Sequence, residues 1–144
     1  MADESAVTLT MVAPLGPASL DEVHDLVARL FDEVPDTSMV DRIRFETAVI
    51  EVAGNILEHS RRTDPPSDEP RSFDIVLRGD RGELAAEFRD DGRPVQIDFE
   101  QISMPGEDAE DGRGLALALA TVDEISHERH DGLNIWRITC RRSE

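Results

Sequence analysis

The chain has 144 residues, 39% of them hydrophobic, which is the size and composition of one ordinary domain with one core. Its 32 acidic and 15 basic residues give a net charge of −17. This charge disfavours direct binding to nucleic acid; it favours a basic protein partner or serves solubility alone. Every Lys or Arg position is arginine, which excludes a Walker-A lysine and a Schiff-base lysine.

Several features predict a cytoplasmic protein. No apolar run reaches the roughly 18 residues of a membrane-spanning helix, so no membrane partner is expected. The first residues, Met1–Ser5, are acidic and unlike a signal peptide. Cys140 is the only cysteine, so no intrachain disulfide can form.

Hydrophobic periodicity predicts a strand and two helices in the first part of the chain. They are a strand at Val7–Val12, a helix from Leu20 to just before Pro35, and a helix from about Val40 to Ser60. Ser19 is expected to cap the first helix, and Thr37 or Ser38 the second.

Two hairpins are predicted in the later part. Their strands are Ser72–Arg78, Glu83–Arg89, Glu124–Arg129 and Leu133–Arg141. Arg61–Arg71 is expected to be an exposed loop, Met104–Arg113 a mobile acidic segment, and Leu115–Val122 a short helix. Helices first and hairpins later predict an α+β fold, a two-layer sandwich.

The second predicted helix carries Glu51, Asn55 and His59, which recur every four residues and share one face. On a helical wheel they lie beside a wide apolar arc, where a cleft is expected. That arc contains Ile43, Phe45, Val49, Ile50, Val52, Ala53, Ile56 and Leu57. A carboxylate beside a metal-bound phosphate can act as a general base, and an amide oxygen can bind Mg²⁺. The alternative is a plain amphipathic helix with a polar stripe.

A second motif, Asp90–Gly92, follows a predicted strand. An aspartate there can accept a hydrogen bond from an exocyclic amine such as that of adenine, and Gly92 allows a ligand to approach the backbone. The alternative is an ordinary Asp-Gly turn.

A third motif, Gly112–Leu115, leads into the short predicted helix. Free N–H groups at a helix start can bind an anion, and Arg113 would add positive charge. The alternative is a hinge that simply begins a helix.

Other reactive side chains suggest no further site. Trp136 is expected in the core, and the apolar strand around Cys140 disfavours a nucleophilic role. His59 is best suited to packing or hydrogen bonding at its helix end. The four histidines, His24, His59, His127 and His130, do not have a spacing typical of metal ligands. They are expected to be mainly exposed to solvent.

In this order the motifs resemble the GHKL superfamily of ATPases and kinases and, more narrowly, the RsbW-type anti-sigma-factor serine kinases. The resemblance covers nearly the whole chain. It rests on Glu51–Asn55 with His59, Phe88–Gly92, Gly112–Leu117 and a tail over Val122–Ile138. It implies one histidine-kinase-type ATPase domain over residues 1–144, with the Bergerat fold: a mixed, mostly antiparallel sheet with helices on one face.

The resemblance implies ATP and Mg²⁺ as cofactors. By family pattern, Glu51 is the catalytic base, Asn55 the Mg²⁺ ligand, and Asp90 the adenine contact. The remaining nucleotide contacts implied are Gly92, Gly112, Arg113, Gly114, Leu115 and, through water, Thr139. The implied function is an anti-sigma serine kinase that phosphorylates an anti-anti-sigma protein of STAS type, sequesters a sigma factor and forms a homodimer.

Two departures from the family pattern leave a second function open. Pro94 stands where many relatives have a glycine, and the segment between Gly92 and Gly112 is short and acidic, with Arg93 near its start. Both suit a non-catalytic module of the same fold that sequesters a partner. A detached histidine-kinase ATP-binding domain is disfavoured by the small size and the lack of a phosphoacceptor helix pair.

Overall fold

The computed structural model describes residues 6–14, 16, 18–63, 72–91 and 120–142, with side chains in residues 59–63 excepted. Its elements are β1 (Val7–Pro14), α1 (Ser19–Glu33), α2 (Met39–Thr63), β2 (Ser72–Gly79), β3 (Glu83–Asp90), β4 (Glu124–His130) and β5 (Leu133–Arg141). The strands and long helices predicted for these residues are therefore confirmed. α2 extends through the first three residues of the predicted loop Arg61–Arg71. The rest of that loop, the segment Met104–Arg113 and most of the helix Leu115–Val122 lie outside the described residues.

The five strands form one sheet in the order β1-β2-β3-β5-β4, and every described pairing is antiparallel. β5 therefore lies between β3 and β4 and places Asn134 directly opposite Asp90. α1 packs on β1 and β2, and α2 packs on β3 and β5. This is the predicted α+β two-layer arrangement, with the core between the sheet and the helices.

Local sequence explains the two hairpin turns. Between β2 and β3, the carboxylate of Asp80 accepts the N–H groups of Gly82 at 2.8 Å and Glu83 at 2.9 Å. Between β4 and β5, Asp131 and Gly132 both have positive φ, 51° and 80°. A two-residue turn of this kind matches the twist of the strands that it joins.

The helix starts differ in part from the prediction. Ala18, not Ser19, is the N-cap of α1, and it makes no side-chain capping bond. Ser19 is buried, and its hydroxyl donates to the carbonyl of Pro14, which ties the helix to the end of β1. Ser38 caps α2, because its hydroxyl accepts the N–H of Asp41 at 3.1 Å.

The buried face of α2 is rotated from the predicted apolar arc. Its buried apolar residues are Phe45, Ala48, Val49, Val52, Ala53 and Ile56. Ile43 is 58% exposed, so the prediction was wrong at this position, whereas Ile50 and Leu57 are half-buried and pack against the core. The neighbours of α2 decide which face is buried, and the small side chain of Ala48 suits close packing against the sheet. Within the described residues, no helix is long and apolar enough to cross a membrane.

Candidate functional site

Asp90 is a buried carboxylate at the end of β3. It is 5% exposed and lies on the face of the sheet that the helices cover. Its strand partner Asn134 is fully buried, and Asn134 Nδ2 donates to Asp90 Oδ1 at 3.0 Å. A buried carboxylate needs such donors because an unpaired charge in the interior is costly. The bond also limits the orientations open to the carboxylate.

His127 extends this pair to the neighbouring strand. Its Nε2 lies 3.2 Å from Asn134 Oδ1, and its ring lies 4.6 Å from the Trp136 ring, tilted by 56°. Since the Asn134 amide nitrogen faces Asp90, the amide oxygen faces His127, and this arrangement matches the His127 tautomer that carries its proton on Nε2. The prediction that His127 is solvated was wrong, because this side chain is half-buried and hydrogen-bonded. His130 is exposed, as expected.

Trp136 is fully buried, which confirms its predicted place in the core. It lies opposite Phe88 on β3 and His127 on β4. Its indole Nε1 is buried without a hydrogen-bond partner among the described residues. The aromatic packing thus forms an apolar wall beside the polar chain from His127 to Asp90.

Glu51 and Asn55 lie one turn apart on α2, at the margin of its buried face, and both are half-buried. Neither side chain forms a hydrogen bond within the described part of the chain. The Asn55 amide oxygen is a ligand type that suits Mg²⁺, and the Glu51 carboxylate is a proton acceptor. This margin of α2 can therefore contact a ligand without first breaking an internal hydrogen bond to either residue.

Arg44 joins the start of α2 to the chain that enters β4. Its guanidinium donates to Thr121 O at 2.7 Å, to Asp41 Oδ1 at 3.0 Å and to Asp123 Oδ2 at 3.4 Å. Asp41 is fully buried, so this pair neutralises an interior carboxylate. Arg44 is thus committed to Asp41 rather than to Glu51, and it holds Thr121 near the helix that carries Glu51.

Thr139 does not join the Asp90 group. Side chains alternate between the faces of a strand, so Asn134, Trp136 and Ile138 share the helix-covered face of β5. Thr139 faces the opposite side of the sheet, and the residue that contacts Asp90 from β5 is Asn134. The predicted nucleotide contacts Gly92, Gly112, Arg113, Gly114 and Leu115, and the side chain of His59, lie outside the described residues.

Asn134, His127 and Arg44 were not predicted as site residues, and for Asn134 the sequence pattern does give a weak indication. Asn134 is the polar member of an alternating set that is otherwise apolar: Trp136, Ile138 and Cys140. A polar residue in such a set indicates a buried hydrogen bond, but it does not identify the partner. His127 and Arg44 left no comparable signal.

A two-layer domain of this topology, with polar helix residues and a buried aspartate at a strand end, has the architecture of the GHKL ATPase fold. The family model of the histidine kinase-like ATPase domain matches residues 13–140. The chain therefore belongs to the histidine kinase-like ATPase domain family, and membership in it implies ATP as a ligand.

Among the solved structures that share the fold, two are similar over more than nine-tenths of this chain. A crystal structure of the RsbU and RsbW domains of Rv1364c from Mycobacterium tuberculosis matches with a TM-score of 0.66 and 18% identity over 96% of this chain. This chain spans 33% of the length of that chain. The SiaB-SiaC complex from Pseudomonas aeruginosa matches with a TM-score of 0.60 and 14% identity, covering 92% of this chain and 89% of that chain. No curated protein matches the chain.

Proposed function

We propose that this chain is an ATP-dependent serine protein kinase that acts as an anti-sigma factor. Its substrate would be a serine of an anti-anti-sigma protein of STAS type, and it would sequester a sigma factor. The proposal is carried by the position of Asp90. This buried residue ends β3 on the face of the sheet that the helices cover, and α2 in that helical layer carries Glu51 and Asn55. Family membership supplies the nucleotide.

Asp90 would recognise the base of ATP by accepting a hydrogen bond from the adenine amine. The phosphates would bind the backbone N–H groups of Gly112–Leu115, with Arg113 adding positive charge, because the chain contains no lysine. Gly92 would let the base approach the backbone. Recognition would thus depend on a few polar groups at the edge of an apolar core, as is usual for small-molecule sites.

Asn55 fits the role of a Mg²⁺ ligand. Its amide is half-buried and makes no hydrogen bond to another described residue, so its oxygen is available to a cation. Mg²⁺ takes few protein ligands and keeps several waters and phosphate oxygens. When bound, the ion would neutralise charge on the phosphates during transfer.

Glu51 would act as the general base. The serine oxygen would form a bond to the γ-phosphorus while the bond from that phosphorus to the β–γ bridging oxygen breaks. Glu51 would accept the serine proton, and ADP would leave with the electron pair of the broken bond. Most of the rate enhancement in such a transfer comes from positioning and charge stabilisation.

Phosphoserine formation tests the proposal. The protein is incubated with Mg-ATP and a purified STAS-domain protein, and the initial rate is compared with that of Glu51→Gln. A general base contributes about 10²-fold or more, so Glu51→Gln should lose at least that much. Glu46→Gln is the matched control on the opposite side of α2, where Glu46 lies 3.4 Å from the exposed His24. An unchanged rate in Glu51→Gln would contradict the assigned role.

Partner binding would follow from charge. A net charge of −17 repels phosphate backbones and attracts basic protein surfaces, which suits a sigma factor better than DNA as the direct partner. We expect the kinase to act as a homodimer, so that each dimer would carry two nucleotide sites.

A non-catalytic module that sequesters a protein partner is the second candidate. Pro94 and the acidic run Glu107–Asp111 favour it, since acidic side chains near triphosphate would weaken ATP binding. Calorimetry separates the two candidates. Binding of Mg-ATP below millimolar concentration supports the kinase, whereas absence of binding at millimolar ATP supports the module.

A further inference from the structure

We propose that His127 and Asn134 are positioning residues that make the Asp90 site selective for 6-aminopurines over 6-oxopurines. The inference deepens the proposed function and rests on the proposal that Asp90 binds the base of ATP. Three strands contribute to the arrangement: β3 carries Asp90, β5 carries Asn134 and β4 carries His127.

Asn134 holds the Asp90 carboxylate in position. Asn134 Nδ2 donates to Asp90 Oδ1 at 3.0 Å, and both side chains are at least 95% buried. A donor fixed within a strand pair sets the plane of the carboxylate. An ionised carboxylate only accepts hydrogen bonds, and it has about four acceptor sites in all.

His127 helps to set the orientation of the Asn134 amide. An amide can rotate by half a turn and exchange its nitrogen and oxygen. With the oxygen towards Asp90, two acceptors would face each other. His127 Nε2 lies 3.2 Å from Asn134 Oδ1. The tautomer with its proton on Nε2 donates to that oxygen and opposes the rotation, because after it the proton would meet an N–H group.

Packing against Trp136 holds the His127 ring in position. The ring packs against the fully buried Trp136, with a centroid distance of 4.6 Å. His127 lies opposite Trp136 across the β4–β5 pair and reaches Asn134 diagonally. The core of the domain thus fixes the imidazole, the imidazole fixes the amide, and the amide fixes Asp90.

Selectivity follows from the acceptor-only character of Asp90. A 6-aminopurine presents an N–H donor to the carboxylate. A 6-oxopurine presents a carbonyl oxygen at the same position, so an acceptor meets an acceptor. A site whose buried polar group is left unpaired by the wrong ligand rejects that ligand strongly. If the carboxylate rotates, this discrimination weakens.

The test compares the Kd of ATP with that of ITP, its 6-oxo analogue, by calorimetry. Wild-type protein should prefer ATP by about tenfold or more, as expected for one hydrogen bond to a charged group.

Asn134→Ala should lose most of this preference. His127→Phe keeps a ring against Trp136 but has no donor, and it should lose a part. His127→Gln restores an N–H donor and should recover that part. His130→Phe is the matched control, because His130 is exposed at the end of the same strand.

Thermal unfolding of each variant separates positioning from general stability. A ratio of Kd values that falls in His127→Phe and recovers in His127→Gln, at similar melting temperatures, supports the assignment. An unchanged ratio in both Asn134→Ala and His127→Phe, with wild-type protein binding ATP, overturns the assignment alone. If wild-type protein binds neither nucleotide, the proposed function fails and the assignment fails with it.

Discussion

At the scale of single residues, the pair of Arg44 and Asp41 joins α2 to the chain that enters β4. Asp41 is fully buried and Arg44 is 28% exposed on its side chain, so removal of the arginine leaves an interior carboxylate without its cation. We predict that Arg44→Ala lowers the free energy of unfolding by about 3 kcal/mol in urea denaturation at pH 7.

Arg29→Ala is the matched control for this variant. Arg29 is exposed on α1, and its removal should change the free energy of unfolding by about 0.5 kcal/mol or less. Equal effects of the two substitutions would show that the Arg44 contacts to Asp41, Thr121 and Asp123 contribute no more than an ordinary surface arginine.

The position of a residue at the end of an element can be predicted where a local pattern is sufficient. The predicted strand ends just before Asp90, and β3 ends at Asp90. Its partner Asn134 lies 44 residues later, and the contact exists only because β5 pairs with β3. The bond from Arg44 to Thr121 spans 77 residues. Contacts this distant depend on strand order and helix packing, which local periodicity does not encode.

At the scale of elements, the β4–β5 hairpin holds both His127 and Asn134, and its turn requires positive φ at two successive residues. Gly132, at φ 80°, is the position where a side chain would be strained. We predict that Gly132→Ala lowers the free energy of unfolding by about 1 kcal/mol, measured by urea denaturation.

Gly82→Ala provides the control in the other described hairpin. The φ of Gly82 is not in the left-handed region, and an added Cβ would meet only Asp80 Oδ1 at 3.8 Å, an ordinary contact. Its cost should be clearly smaller than that of Gly132→Ala. The reverse order would contradict the assignment of strain to the β4–β5 turn.

The elements themselves were largely predictable, but the face that α2 buries was not. Alternation and turn residues placed the four hairpin strands, and helical spacing placed both long helices. A wheel shows where apolar residues concentrate, yet burial is decided by the neighbouring elements. Ile43 belongs to the predicted arc and is exposed, whereas Ala48 lies beside the polar stripe and is fully buried.

At the scale of the whole molecule, the composition isolates one titration. The chain contains no lysine and no tyrosine, so Cys140 is the only side chain with an ordinary pKa between about 8 and 12. Burial raises the pKa of the Cys140 thiol, because the thiolate is poorly solvated in the core.

The raised pKa of Cys140 makes the free energy of unfolding fall at alkaline pH. The folded state holds the thiol proton more tightly than the unfolded state. The stability from the protonated thiol is therefore fully present below the unfolded pKa of about 8.5, and it is lost as pH rises towards the raised folded pKa. The free energy of unfolding should fall in this range by at most about 1.4 kcal/mol per pH unit.

Cys140→Ala should remove this slope. Urea denaturation at several pH values from 7.5 upwards would compare the two proteins. The variant should have a constant offset from the smaller side chain, since deletion of buried atoms destabilises the core at every pH. Parallel curves for the two proteins would contradict the assignment of the alkaline slope to Cys140.

We propose above all that Asp90 and the α2 residues Glu51 and Asn55 belong to one nucleotide site. A crystal structure with Mg²⁺ and a non-hydrolysable ATP analogue tests it most directly. We predict that the adenine amine donates to the Asp90 carboxylate and that the phosphates extend towards Asn55, with a metal ion between them. Nucleotide density that contacts neither Asp90 nor α2 would contradict it.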